Sequence, residues 1–189
     1  MALVAATVPR FPLSRFTPRE RHGSFYVMSQ SDSPISETSR AILDEIKRVF
    51  GEVQRGNGVT LHETEVIDDH GSEEEREEAR RKDTDRHWWE VRDEWIEGCV
   101  GLSFLDEAGF HYYLPAYMSY RIRTGKEPWG LDFHLQHDQW DFERIFSLAK
   151  KKMIAKFLDY VKYQFEDVGS GETLDEFWRG YFDAPIKTQ

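Results

Sequence analysis

Apolar positions in the first patterned stretch recur at helical spacing: Ile35, Ile42, Ile46, Val49 and Phe50 share one face of a 3.6-residue period. Ser33 before Pro34 offers an N-cap with proline at the first helical position, so a helix is predicted from there to about residue 50. The segment Gly51 to Gly58, containing Gly56-Asn57-Gly58, ends it. Thr60-Leu61-His62-Glu63 is a capping box, in which hydroxyl and carboxylate satisfy free amides at a helix start. It predicts a short helix to about Asp68, closed at His70-Gly71. Ser72-Glu73-Glu74-Glu75 repeats the device and opens a third helix through about Lys82. Acids fill its first turn and Arg80, Arg81 and Lys82 its end, as the helix dipole prefers. Ala79 is its one apolar residue, so it is expected on the surface.

The pattern then changes period. His87-Trp88-Trp89-Glu90-Val91 and Trp95-Ile96 bring three tryptophans within eight positions. Leu102-Ser103-Phe104-Leu105 and Phe110-His111-Tyr112-Tyr113-Leu114 are short runs of β-prone residue types. Asp106-Glu107-Ala108-Gly109 joins them, with Gly109 able to supply a positive φ, and a β-hairpin over about 101–114 is predicted. Pro115 is expected to end the second strand and start a helix over 116–123, which Gly125 closes. A helical turn is expected over 138–146. Beyond it, Ile154, Phe157, Leu158, Val161 and Phe165 form one apolar stripe with lysines opposite. Gly169-Ser170-Gly171 is expected to break that helix, and Thr173-x-x-Glu176 to cap a last one carrying Leu174, Phe177, Trp178 and Tyr181. The fold class that follows is α+β, helix-dominant, with several helices packed around a small antiparallel hairpin.

Residues 1–27 show neither period and carry Pro9, Pro12 and Pro18. Their basic residues follow the apolar start, whereas a signal peptide has them in front. Arginines with few acids fit an organelle transit peptide; a disordered tail, or an upstream start with Met28 as first residue, fits better. The expected organisation is a basic tail over 1–32, one globular domain over 33–183 and a short tail over 184–189.

Aromatic residues make up 14% of the chain, which argues for a folded body, since disordered segments are poor in them. The net charge of −10 is uneven: residues 1–27 carry +3 and the remainder −13. Such a body repels phosphate backbones, and Lys150-Lys151-Lys152, its one run of three lysines, falls on an expected solvated helix face. Nucleic acid is therefore set aside as a partner, while a more basic protein suits the charge. Cys99 is the single cysteine, so no disulfide forms within the chain and a cysteine-based metal site is excluded; a reducing cytoplasm is the expected location. The longest apolar run is too short to span a bilayer.

Asp68-Asp69-His70-Gly71-Ser72, the acidic helix with Ala79-Arg80 and Asp83, and the run Phe104-Leu105-Asp106-x-x-Gly109-Phe110-x-x-Tyr113-Leu114-Pro115-Ala116-Tyr117-Met118 resemble a family of small bacterial proteins of unknown function. The resemblance covers about residues 40–165, and Phe157-Leu158-x-Tyr160 extends it. It implies a bacterial-type cytoplasmic protein and brings no activity with it.

Four groups of residues have chemical potential. Asp68 and Asp69, with Asp83, Asp85 and His87 downstream, offer carboxylates and imidazole to a divalent ion. The weightier reading is structural, because aspartates at helix junctions accept backbone amides and pair with neighbours such as Arg80, Arg81 and Arg86. His134-x-x-His137-Asp138-x-x-Asp141 has ligand spacing but lacks the glutamate of a His-Glu-x-x-His helix; surface histidines and an N-cap are the plainer account. Cys99 has no nucleophile signature around it and sits where a small buried residue is usual. Trp88, Trp89, Trp95, Phe110, Tyr112, Tyr113, Tyr117 and Tyr120 are first of all core candidates, and their surplus is the best hint of a binding surface.

Glycine loops for phosphate, a Gly-x-Ser-x-Gly elbow and paired zinc cysteines are absent from the sequence. The leading expectation is a non-enzymatic interaction module without a cofactor, one concrete form being an immunity-type inhibitor of a basic protein. Its expected binding residues are Asp68, Asp69, Trp88, Trp89, Trp95, Tyr113 and Tyr117. The alternative is a divalent-metal-binding protein or metal-dependent enzyme using Asp68, Asp69, His87, His134 and His137.

Overall fold

The computed structural model describes residues 35–99, 101–136, 140–182 and 184. Among them every regular element is helical: α1 (Glu37–Phe50), α2 (Leu61–Asp68), α3 (Glu73–Arg80), α4 (Asp93–Gly98), α5 (Glu107–Thr124), α6 (Leu131–Gln136), α7 (Phe142–Ile145), α8 (Leu148–Gln164), α9 (Val168–Thr173) and α10 (Arg179–Phe182). Short 3₁₀ turns lie at Trp88–Glu90 and Gly101–Phe104, and a π-turn over Leu174–Trp178 joins α9 to α10. The fold is all-α, not the α+β class expected; no strand occurs among the described residues.

The predicted hairpin over 101–114 is instead a 3₁₀ turn followed by the first half of α5. Asp106 is the N-cap, its carboxylate accepting from the Gly109 amide at 2.8 Å and from the Val59 amide at 3.0 Å. Gly109 is helical, and what requires glycine there is space: a Cβ would lie 2.5 Å from the Val59 carbonyl oxygen. Gly58 makes the reciprocal approach, its Cβ position falling 2.6 Å from the Gly109 nitrogen. α5 runs on through Pro115, which only removes the amide that the His111 carbonyl would otherwise receive. Every residue from Tyr112 to Ile122 is buried, so α5 is the central helix, and a helix apolar all round shows no amphipathic stripe. Gly125, at φ 70°, closes it as expected.

α1 packs against α5 and α8, and α8 against α9 and α10. Ile42, Ile46 and Phe50 of α1 meet the Ile154, Phe157, Leu158 and Val161 stripe of α8 in one core. Each such side chain contributes about 1.5–3 kcal/mol on burial. The N-cap of α1 is Ser36, whose hydroxyl accepts from Ser39; Ser33 and Pro34 lie outside the described residues. The triple lysine departs from a fully solvated face: Lys151 is buried against Glu143 at 2.5 Å, and Lys150 donates to His111 Nε2 at 2.8 Å. Gly169, Ser170 and Gly171 lie inside α9, capped by Asp167, and do not break a helix. Thr173 is no N-cap either; it is helical, its hydroxyl donating to the Gly169 carbonyl. Trp178 of the π-turn is buried with its indole N–H on the Leu135 carbonyl at 2.8 Å.

Candidate functional site

Of the two capping boxes expected on the α2–α3 hairpin, Ser72/Glu75 is complete, whereas at Thr60/Glu63 the carboxylate accepts from the Thr60 amide at 2.8 Å and the Thr60 hydroxyl has no hydrogen-bond partner among the described residues. The hairpin stands on a buried polar frame. Asp83 accepts from the His62 backbone amide at 3.1 Å and pairs with His62 Nδ1 at 2.8 Å. Asp85 accepts from the Tyr112 hydroxyl at 2.7 Å and from Arg55 Nη1 at 3.1 Å; Arg55 also donates to the Tyr113 hydroxyl at 2.9 Å. Neither aspartate exposes any side-chain surface. Burial first, and Asp85 second, hold the Tyr112 and Tyr113 phenols far above their ordinary range. Arg80 reaches the buried Glu63 at 2.9 Å and ties α3 to α2.

Above this frame the hairpin is acidic. Asp68 and Asp69 end α2 and are exposed, as are Glu73, Glu74, Glu77 and Glu78 on α3. Glu73 pairs with Arg76 at 3.0 Å and Glu77 with Arg81 at 3.9 Å. Among the described residues Asp68, Asp69, Glu74 and Glu78 have no ion pair. Arg80 and Arg81, expected to neutralise the two aspartates, are committed to Glu63 and Glu77. A cleft of about 560 Å³ between the helices is lined by Val66, Asp69, His70, Glu75, Glu78 and Lys82.

The expected aromatic residues divide sharply. Tyr113 and Tyr117 are closed off in the core; the Tyr117 hydroxyl has no hydrogen-bond partner among the described residues, and burial raises its phenol far above the ordinary range. Trp95 is half-buried, with the His62 ring edge-on at 5.3 Å and the Arg92 guanidinium over it at 5.1 Å. Trp88 is buried and donates its indole N–H to the Phe50 carbonyl at 3.0 Å. Trp89 is the exposed member of these five, at 37%. Trp88 and Trp89 form one wall of a pocket of about 300 Å³ whose other residues include Asp44 and Lys47 of α1, Asp93, and Arg123 of α5.

The first of the expected metal sets is not assembled among the described residues. Asp83 and Asp85 are taken by His62 and Arg55, His87 stacks on Trp89 at 4.4 Å, and Asp68, Asp69 and His87 form no ligand group among the described residues. His134 is buried with Nε2 3.2 Å from the Ser103 hydroxyl; His137 and Asp138 lie outside the described residues. The carboxylates that do converge are Glu127, Asp132 and Asp167, with ligand atoms within 4.8 Å of one another. Arg121 already supplies their cation, 3.0 Å from Glu127 and 2.8 Å from Asp167. Positions so far apart in the chain carry no sequence signal of meeting. The Cys99 thiol is pushed up to about 12 by burial, with Glu65 and Asp83 adding to it, so it stays protonated.

A family model described as a family of unknown function, DUF6714, matches residues 38–182. The chain belongs to that family. No curated protein and no solved structure matches it. No helix among the described residues is long and apolar enough to cross a membrane.

Proposed function

We propose that the chain is a non-enzymatic interaction module that recognises a basic protein through the acidic α2–α3 hairpin, an immunity-type inhibitor being one concrete form, at work in the cytoplasm. The observation that carries this reading is the unneutralised charge of Asp68, Asp69, Glu74 and Glu78 on a hairpin whose own arginines are committed elsewhere. A net charge of −10 adds a field that steers basic partners and disfavours nucleic acid. The single thiol, Cys99, is held protonated by burial and offers no thiolate nucleophile. A metal-dependent alternative built on Asp68, Asp69 and His87 gains nothing from the geometry.

The test is affinity capture from the native host with the intact protein and with the variant D68N/D69N/E74Q/E78Q, at low and high salt. A partner more basic than the bait, held at low salt by the wild type and lost by the variant, is expected. Capture that is identical with both baits, or no stoichiometric partner at either salt, defeats the reading.

A further inference from the structure

The pocket beside Trp89 has an unusual charge arrangement. Arg123 and Asp93 face each other through two contacts of 2.8 and 2.6 Å, and so cancel. Lys47 and Asp44 remain, one turn apart on α1, and neither has an ion pair among the described residues. The Lys47 ammonium instead stands 4.6 Å from the centroid of the Trp89 ring. That ring is fixed in place: His87 stacks on it at an interplanar angle of 8°, and Trp88, itself held by the Phe50 carbonyl, meets it edge-on at 5.4 Å. Leu43, Val91 and Ala116 supply apolar lining.

We infer that this pocket is the seat for one arginine side chain of the partner, and that Lys47 occupies the seat in the free protein; the inference rests on the preceding reading that the partner is a basic protein. An indole face carries negative π density, so it attracts cations and gives an anion nothing. Lys47 is exposed and long, and leaves the ring without breaking an ion pair. A guanidinium is planar, more weakly hydrated than an ammonium, and suited to lying flat on Trp89 with its donors turned to Asp44. With Lys47 off the ring, the Trp89 face is open and Asp44 can accept from the entering guanidinium. Rigid aromatic anchors beside committed polar groups are the usual composition of an interface hot spot.

The probe is acetyl-arginine amide, titrated into the full chain and followed by the backbone amide resonances of residues 43–47 and 87–93, with acetyl-citrulline amide as the uncharged control. The arginine probe is expected to bind and the citrulline probe not to. K47A should tighten binding roughly two- to fivefold, the worth of one exposed cation–π contact, and D44N and W89F should weaken it. Both Lys47 and Asp44 are exposed, so these two variants keep the fold. Equal binding of the two probes, or weakened or unchanged binding in K47A, overturns the assignment. Partner capture with no arginine signal removes the pocket and leaves the proposed function standing. Absence of any basic partner defeats that function, and the seat for a partner's arginine with it, whatever the probe does.

Discussion

Asp85 exposes no side-chain surface, and Arg55 and Tyr112 both donate to it. A buried charge of this kind is tolerable only while it is paired and hydrogen-bonded, and removing one partner leaves the others desolvated and unmatched. D85A is therefore expected to cost about 3–5 kcal/mol in urea unfolding, because it strands Arg55 and the Tyr112 hydroxyl together. Cys99 gives a second prediction. With its thiol near 12, the thiolate fraction at pH 8 is on the order of a thousandfold below that of a free cysteine. A colorimetric disulfide reagent should accordingly react very slowly with the native chain and rapidly once denaturant is added. His111 shows the opposite direction: burial and then Lys150 lower its imidazole to about 4, which suits a neutral ring accepting from Lys150.

At the scale of elements, the helix starts of the α2–α3 hairpin were legible, and the Thr173 cap and the central helix were not. Thr60/Glu63 and Ser72/Glu75 are local devices spanning four residues; the structure completes the second and makes the carboxylate half of the first. The α8 stripe was equally readable because one face of that helix is buried and the other wet. α5 gave a false strand because burial from Tyr112 to Ile122 erases the helical period and leaves only residue types, and aromatic types favour strands. Asp106 carried the missing information: an aspartate three residues before Gly109 is an N-cap as readily as a turn residue. D106A should cost about 1–2 kcal/mol by thermal melting, since two amides, on α5 and on the 58–59 loop, lose their acceptor together. Of the expected binding residues, Trp89, Asp68 and Asp69 are accessible; Tyr113 and Tyr117 are core, which composition alone could not distinguish.

At the scale of the whole molecule, the charges that decide behaviour lie in two places. The acidic hairpin faces solvent, and Glu127, itself exposed, gathers with the half-buried Asp132 and Asp167 around Arg121 where α5, α6 and α9 meet. Desolvation first, then Asp132, raise the Glu127 carboxyl to about 7, against the opposing pull of Arg121; Asp167 adds to the rise and the Asp132 amide opposes it. An acid whose folded value exceeds its unfolded value binds its proton more tightly in the native state. Stability from this group is therefore greatest below about 4.5 and declines as pH rises to about 7, after which it levels. Wild type should lose melting temperature between pH 5 and pH 7.5 relative to E127Q, measured by calorimetry in parallel buffers. Equal slopes in the two proteins would contradict the raised Glu127 carboxyl.

The helix α3 buries one residue, Ala79, and is held to α2 mainly by Arg80 and Arg76 on Glu63. So few apolar contacts make it a candidate for local opening at a small fraction of the global unfolding free energy. Its backbone amides should exchange with deuterium well before those of α5 or α8. A partner that docks on this hairpin then spends part of its contact energy in ordering it, and full-length association should slow α3 exchange more than that of any core helix.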